Sequence, residues 1–161
     1  MFYKGQDTAK HIEGIIDPEI QIQPTGVDLT VNKIERLLNK GVIDFDNKKR
    51  EIPPGEDIPL KNSEGNKYWE LDEDIYRFTT NEKVNIPHDA VGIGMPRSSL
   101  LRCGAGLDFA FWDPGFRGRS QANLIVPAQG LILHENARVF QFALASCENV
   151  DEEYRGIYGE E

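Results

Sequence analysis

Polar and apolar residues alternate in short runs along nearly the whole chain, and each run stops at glycine, proline, asparagine or aspartate. A period of two marks a strand with one face toward a core and the other toward solvent. Strands are expected at residues 19–23, 27–31, 41–46, 68–71, 75–79, 83–86, 90–95, 107–111, 120–126, 131–134 and 138–145. One short helix is expected at residues 8–16 with Asp7 as its cap. Residues 33–40 fit either helix or strand, and the Pro-, Gly- and Asp-rich residues 53–67 read as a long surface loop. So many short strands imply a mainly β fold, a jelly-roll-like barrel or sandwich with a single N-terminal helix.

Composition sets the frame around those strands. At 161 residues the chain is long enough for one domain with a proper core, and 39% apolar against 28% charged residues excludes a disordered protein. Residues 1–147 are expected to form this single β domain, and the acidic residues 148–161 a flexible C-terminal arm. No apolar run could span a bilayer, and the opening MFYKGQDTAKHIEGII lacks the apolar core of a signal peptide. Cys103 and Cys147 make no disulfide framework; both are expected to be small buried hydrophobes in a cytoplasmic protein.

The net charge of −9 argues against a nucleic-acid polymer as partner. Its distribution is uneven. Between Gly94 and Ala145, Arg97, Arg102, Arg117, Arg119 and Arg138 face only Asp108, Asp113 and Glu135, a local balance of +2 that leaves −11 for the rest. An acidic shell around an arginine-bearing centre suits a small anionic ligand. Within that centre, Met95-Pro-Arg-Ser-Ser-Leu100 puts a guanidinium beside two hydroxyls, donors suited to phosphate oxygens. Phe111-Trp-Asp-Pro-Gly-Phe-Arg-Gly118 puts one carboxylate, Asp113, between aromatics and a tight turn. A P-loop is absent, and so is the His-x-Glu with Pro-Cys-x-x-Cys pattern of zinc deaminases. His11, His88 and His134 pair with no cysteine at ligand spacing.

Five segments, in order, resemble the dUTPase and dCTP deaminase superfamily, most of all its archaeal dUTPase branch. They are Gln23-Pro-Thr-Gly-Val-Asp-Leu29, Met95-Pro-Arg-Ser-Ser-Leu100, Trp112-Asp-Pro-Gly-Phe-Arg-Gly118, Ala137-Arg-Val-Phe-Gln-Phe142 and Tyr154-Arg-Gly-Ile-Tyr-Gly159. The approach Phe78-Thr-Thr-Asn-Glu-Lys-Val-Asn-Ile-Pro87 is similar as well. The resemblance implies a homotrimer of jelly-roll-like subunits with active sites at the interfaces, and Mg²⁺ carried with the triphosphate of dUTP. It also implies roles. Asp113 would activate water for attack on the α-phosphate, releasing dUMP and pyrophosphate. Arg97, Ser98, Ser99 and Gln141 would bind phosphates. Asp28 would approach the metal through water, or else make a structural hydrogen bond. From the arm, Arg155 would reach phosphate and Tyr158 cover the base, while the hairpin from Gly104 to Phe111 would read uracil through its main chain.

The same resemblance leaves a second activity open. A zinc-independent dCTP deaminase of this superfamily, or a bifunctional enzyme, would carry a glutamate ten residues beyond Asp113, where this chain has Asn123. An amide cannot shuttle the proton that amine removal requires. Arg102 is retained as in the deaminases and keeps that alternative in play. Asp108 is a rival for the base but lacks the Pro-Gly-Phe-Arg-Gly context. A third reading is a non-catalytic jelly-roll module that binds a ligand or protein.

Overall fold

A computed structural model describes residues 1–148, 150, 154 and 156–159. Among the described residues three short helices and twelve strands run in the order α1 (Gly5–Ala9), β1 (Ile12–Glu13), α2 (Pro18–Gln21), β2 (Ile22–Gln23), β3 (Gly26–Leu37), β4 (Gly55–Asp57) and β5 (Lys61–Ser63). There follow β6 (Asn66–Leu71), β7 (Asp74–Asn85), β8 (Ala90–Pro96), α3 (Ser98–Arg102), β9 (Gly106–Asp108), β10 (Arg117–Val126), β11 (Leu131–His134) and β12 (Arg138–Ser146). The main antiparallel sheet has nine strands along the path β8-β12-β3-β7-β10-β9, with β1 added to β7 and β2 and β4 to β3. A bridge between Gly92 of β8 and Trp112, just past β9, draws the two ends of the path together into a nearly closed barrel. A smaller sheet, β11-β6-β5, stands apart from it.

The core follows from strand periodicity. Alternate residues of β7 point inward, which buries Tyr76, Phe78 and Val84 together with the polar Thr80 and Glu82. Phe140 of β12 packs against Phe78, Phe109 and Trp112, at ring separations of 6.1, 4.7 and 6.0 Å. Trp112 also meets Phe142 edge-on, and its indole N–H donates to Ser120 Oγ at 3.0 Å. This cluster positions Asp113, because Trp112 immediately precedes it. Gly26 serves the same end: a Cβ there would collide with Phe142 O and crowd the Gln141 side chain.

Several expectations change. The helix expected at residues 8–16 is α1, five residues long, with Lys4 and not Asp7 at its N-cap; Ile12 and Glu13 pair with β7 instead. Residues 19–23 are mostly the turn of helix α2, because Asp17 Oδ1 accepts from Glu19 N and Ile20 N and Pro18 occupies the first helical position. Residues 33–37 continue β3, where pairing with β7 and β4 decides for strand. Residues 41–46 make only a bridge at Val42, since no neighbouring strand covers Ile43 and Phe45. The loop expected at 53–67 contains β4, β5 and a two-residue hairpin turn at Glu64 and Gly65, both at positive φ. Residues 75–79 and 83–86 belong to one strand, apart from Ile86, and 107–111 shrink to β9. Cys103 and Cys147 are both exposed, not buried.

Candidate active site

Two groups of expected site residues lie on opposite ends of β8. The first gathers where β3, β8 and β12 run side by side. Asp28 of β3 lies opposite Gln141 of β12, and Gln141 lies opposite Met95 of β8, so the three share one face of the sheet. The buried Asp28 carboxylate accepts a hydrogen bond from Arg138 Nη1 at 3.1 Å and forms an ion pair with Arg97 Nε at 2.9 Å, both through Oδ2. Burial raises the Asp28 pKa and outweighs the two guanidinium groups that pull it down. The arginines keep 28% and 29% of their side-chain surface open, so one acid holds two cations at the surface with a net charge of +1. Phosphate oxygens suit such a site.

The flanking residues extend it. Arg97 Nη1 donates to Arg138 O at 3.4 Å, and Arg138 Nη1 to Ile20 O at 2.8 Å on α2. Ser98 and Ser99 open α3 with exposed side chains, while Leu100 buries itself and pins that turn to the barrel. Arg102 is exposed at the end of α3 and donates to Ser98 O. Gln141, half-buried, donates from Nε2 to Thr25 Oγ1 at 3.3 Å. The sequence places Arg138 both in the local positive charge and in the segment Ala137-Arg-Val-Phe-Gln-Phe142 but gives it no partner. Its pairing opposite Thr30 of β3 brings it to Asp28.

The second group surrounds Asp113. Trp112 exchanges backbone hydrogen bonds with Gly92, and Phe116 N donates to Asp113 O across the Pro114-Gly115 turn, where Gly115 has φ +82°. The Asp113 side chain therefore stands exposed on a rigid backbone. Tyr154, from the arm, donates its N–H to Pro114 O at 3.1 Å and packs edge-on against Phe116. Tyr158 lies against Arg50, 5.8 Å from ring centroid to guanidinium carbon. Arg155 lies outside the described residues. Phe109 and Phe116 join the core, whereas Phe111 is 70% exposed. Asn123 is exposed on β10, opposite Asp108 of β9 and Arg77 of β7.

One chain does not bring the two groups together. Trp112 stands opposite Gly92, and Arg97 follows five residues later along the strand, a separation of about 16 Å at strand rise. Among the described residues no three His, Cys, Asp or Glu side chains converge as a metal site.

Residues 3–147 match the family described as dCTP deaminase-like. The chain belongs to this family. Its archaeal members include the "Probable deoxyuridine 5'-triphosphate nucleotidohydrolase" of Methanosarcina mazei, 42% identical over 93% of this chain and 87% of that protein. The protein of the same name from Methanosarcina acetivorans is 39% identical over 97% and 91%. The "Deoxyuridine 5'-triphosphate nucleotidohydrolase" of Methanocaldococcus jannaschii is 38% identical over 96% of both. The family fold is seen in the crystal structure of 2'-deoxycytidine 5'-triphosphate deaminase from Agrobacterium tumefaciens, at a TM-score of 0.65 and 17% identity. That match covers 89% of this chain and 46% of the deaminase, so the likeness is one of fold.

Proposed function

We propose that this protein is a dUTP diphosphatase that hydrolyses dUTP to dUMP and pyrophosphate in the cytoplasm. The observation that carries the reading is the pair of guanidinium groups held on Asp28, in a chain whose archaeal relatives bear that enzyme's name. Arg97 and Arg138, with the hydroxyls of Ser98 and Ser99 and the amide of Gln141, would bind the phosphate oxygens and neutralise charge that grows during attack. Asp113, exposed beside its anchored turn, would orient a water in line with the departing pyrophosphate and draw off its proton. The hairpin after α3 would present main-chain groups to uracil, and Arg155 and Tyr158 of the arm would close over the nucleotide.

Mg²⁺ belongs to this reading as part of the substrate, Mg·dUTP. An ion caged by the protein does not fit the donor set, since Asp28 is already neutralised by two arginines and no acidic cluster among the described residues accompanies it. Asp28 therefore serves as the anchor of the phosphate-binding arginines, and no step is assigned to the metal. The separation of Asp113 from Arg97 supports active sites that take the base from one copy and the arginines from another, as a homotrimer would provide.

Deamination of dCTP is the competing activity, and the amide at Asn123 counts against it. Product identification decides between them. Incubation with dUTP should yield pyrophosphate and dUMP, and incubation with dCTP should yield no ammonia. Ammonia from dCTP with no pyrophosphate from dUTP would overturn the proposal.

A further inference from the structure

Glu82 has no part in the chemistry above, yet its carboxylate is fully buried. Among the described residues it is met by three hydrogen-bond donors. Oε1 accepts from Gln21 Nε2 at 2.7 Å and from Thr30 Oγ1 at 2.8 Å, and Oε2 accepts from Thr30 N at 2.9 Å. The arrangement has a backbone cause. The β3–β7 ladder stops at Val31 opposite Thr80, and Val31 N–H turns away from β7 to Ala137 O. Thr30 N–H therefore points toward β7 where no ladder carbonyl remains, and Glu82 takes that place.

We infer that Glu82 is a positioning residue for the two-arginine anion site, acting through Thr30, Gln21 and Asp28. Thr30, held by Glu82 at two atoms, fixes β3 two residues from Asp28. Gln21 Nε2 divides itself between Glu82 and Asp28 O, the latter at 2.8 Å, so the main chain of Asp28 is pinned from the same point. Gln21 Oε1 accepts from Ile16 N and Asp17 N, which holds α2, and α2 supplies Ile20 O to Arg138. The direction of the Asp28 carboxylate, and with it the seating of Arg97 and Arg138, follows from this arrangement. A carboxylate is needed because all three groups that reach it are donors. An amide would turn its own NH₂ toward at least one of them.

The inference rests on reading Arg97 and Arg138 as the phosphate site, so its test measures binding apart from turnover. Glu82→Gln should keep a cooperative thermal transition, raise KM for dUTP about tenfold and leave kcat within about threefold, the signature of lost substrate binding. Calorimetry with inorganic tripolyphosphate should show a similar loss of affinity. A purely structural role would lower Tm and scale kcat with the folded fraction while KM stayed put, which would overturn the inference. Should Glu82→Gln fail to fold, Gln21→Ala and Thr30→Val each remove one link and should shift KM the same way by less; unchanged KM in both would overturn it. If the wild type binds tripolyphosphate and Glu82→Gln weakens it without either hydrolysing dUTP, the positioning role stands and the proposed activity falls. A wild type that does not bind tripolyphosphate overturns the positioning role itself.

Discussion

Asp113 combines an exposed carboxylate with a backbone that has little freedom, because Trp112 is locked in the aromatic cluster and Phe116 closes the turn behind it. Its replacement should therefore separate chemistry from folding. Asp113→Asn should lower kcat by about 10²–10⁴-fold, the range of general-base assistance, as read by pyrophosphate release. Because the side chain is exposed, stability should change by no more than about 0.5 kcal/mol in a denaturant melt. As candidates, Asp113 and Arg97 were both legible in the sequence, since each stands in a short motif. Glu82 was not: Thr80, Asn81 and Glu82 form a polar group that reads as a turn. Only the unbroken alternation of β7 shows that Glu82 falls in phase with Tyr76 and Phe78. Asp28 was legible as a candidate acid, but nothing in its own segment indicated two arginines from elements about 70 and 110 residues away.

Among the elements, β3 and β7 carry an ion-pair group of their own, centred on Glu35. Glu35 lies opposite Arg77 and accepts from its Nε at 3.0 Å, and Lys33 reaches both Glu35 and Asp57 of β4. The Arg77 hydrogen bond, against the opposing effect of burial, holds the Glu35 pKa below its ordinary 4.5. A carboxylate with a lowered folded pKa adds stability that is present above its unfolded value and lost as pH falls through the folded one. Urea denaturation of the wild type should accordingly show stability falling below about pH 4.5. Glu35→Gln should be less stable at neutral pH by about 1–3 kcal/mol and should lose less on acidification. These elements also show where local pattern misleads. Strand pairing with β7 and β4 settled residues 33–37, while capping by Asp17 turned the alternating residues after it into helix α2.

For the whole molecule, the decisive quantity is the stretch of chain from Gly92, which pairs with Trp112 beside Asp113, to Arg97, about 16 Å at strand rise. If each active site joins two copies, two inactive variants should repair each other. Asp113→Asn and Arg97→Ala chains, dissociated and reassembled together, should regain activity in about a quarter of sites, those that draw both intact groups by chance. No recovery in a mixture shown by light scattering to contain mixed oligomers would place both groups in one subunit's site. The arm belongs to this scale as well, since Tyr154 docks on Pro114 and Phe116 and so ties the segment carrying Tyr158 to the Asp113 turn.

The sequence by itself determined that the chain is mainly β and carries an arginine-serine segment and a lone turn carboxylate as candidate site residues, because periodicity, turn residues and contiguous motifs are local properties. The tertiary structure alone decided that Arg138 joins Arg97 on Asp28, that a buried Glu82 holds Thr30 and Gln21 beside them, and that the Asp113 turn stands apart from the arginines. Those facts depend on strand register and barrel closure, which bring together residues far apart in the chain and leave no trace in any one segment.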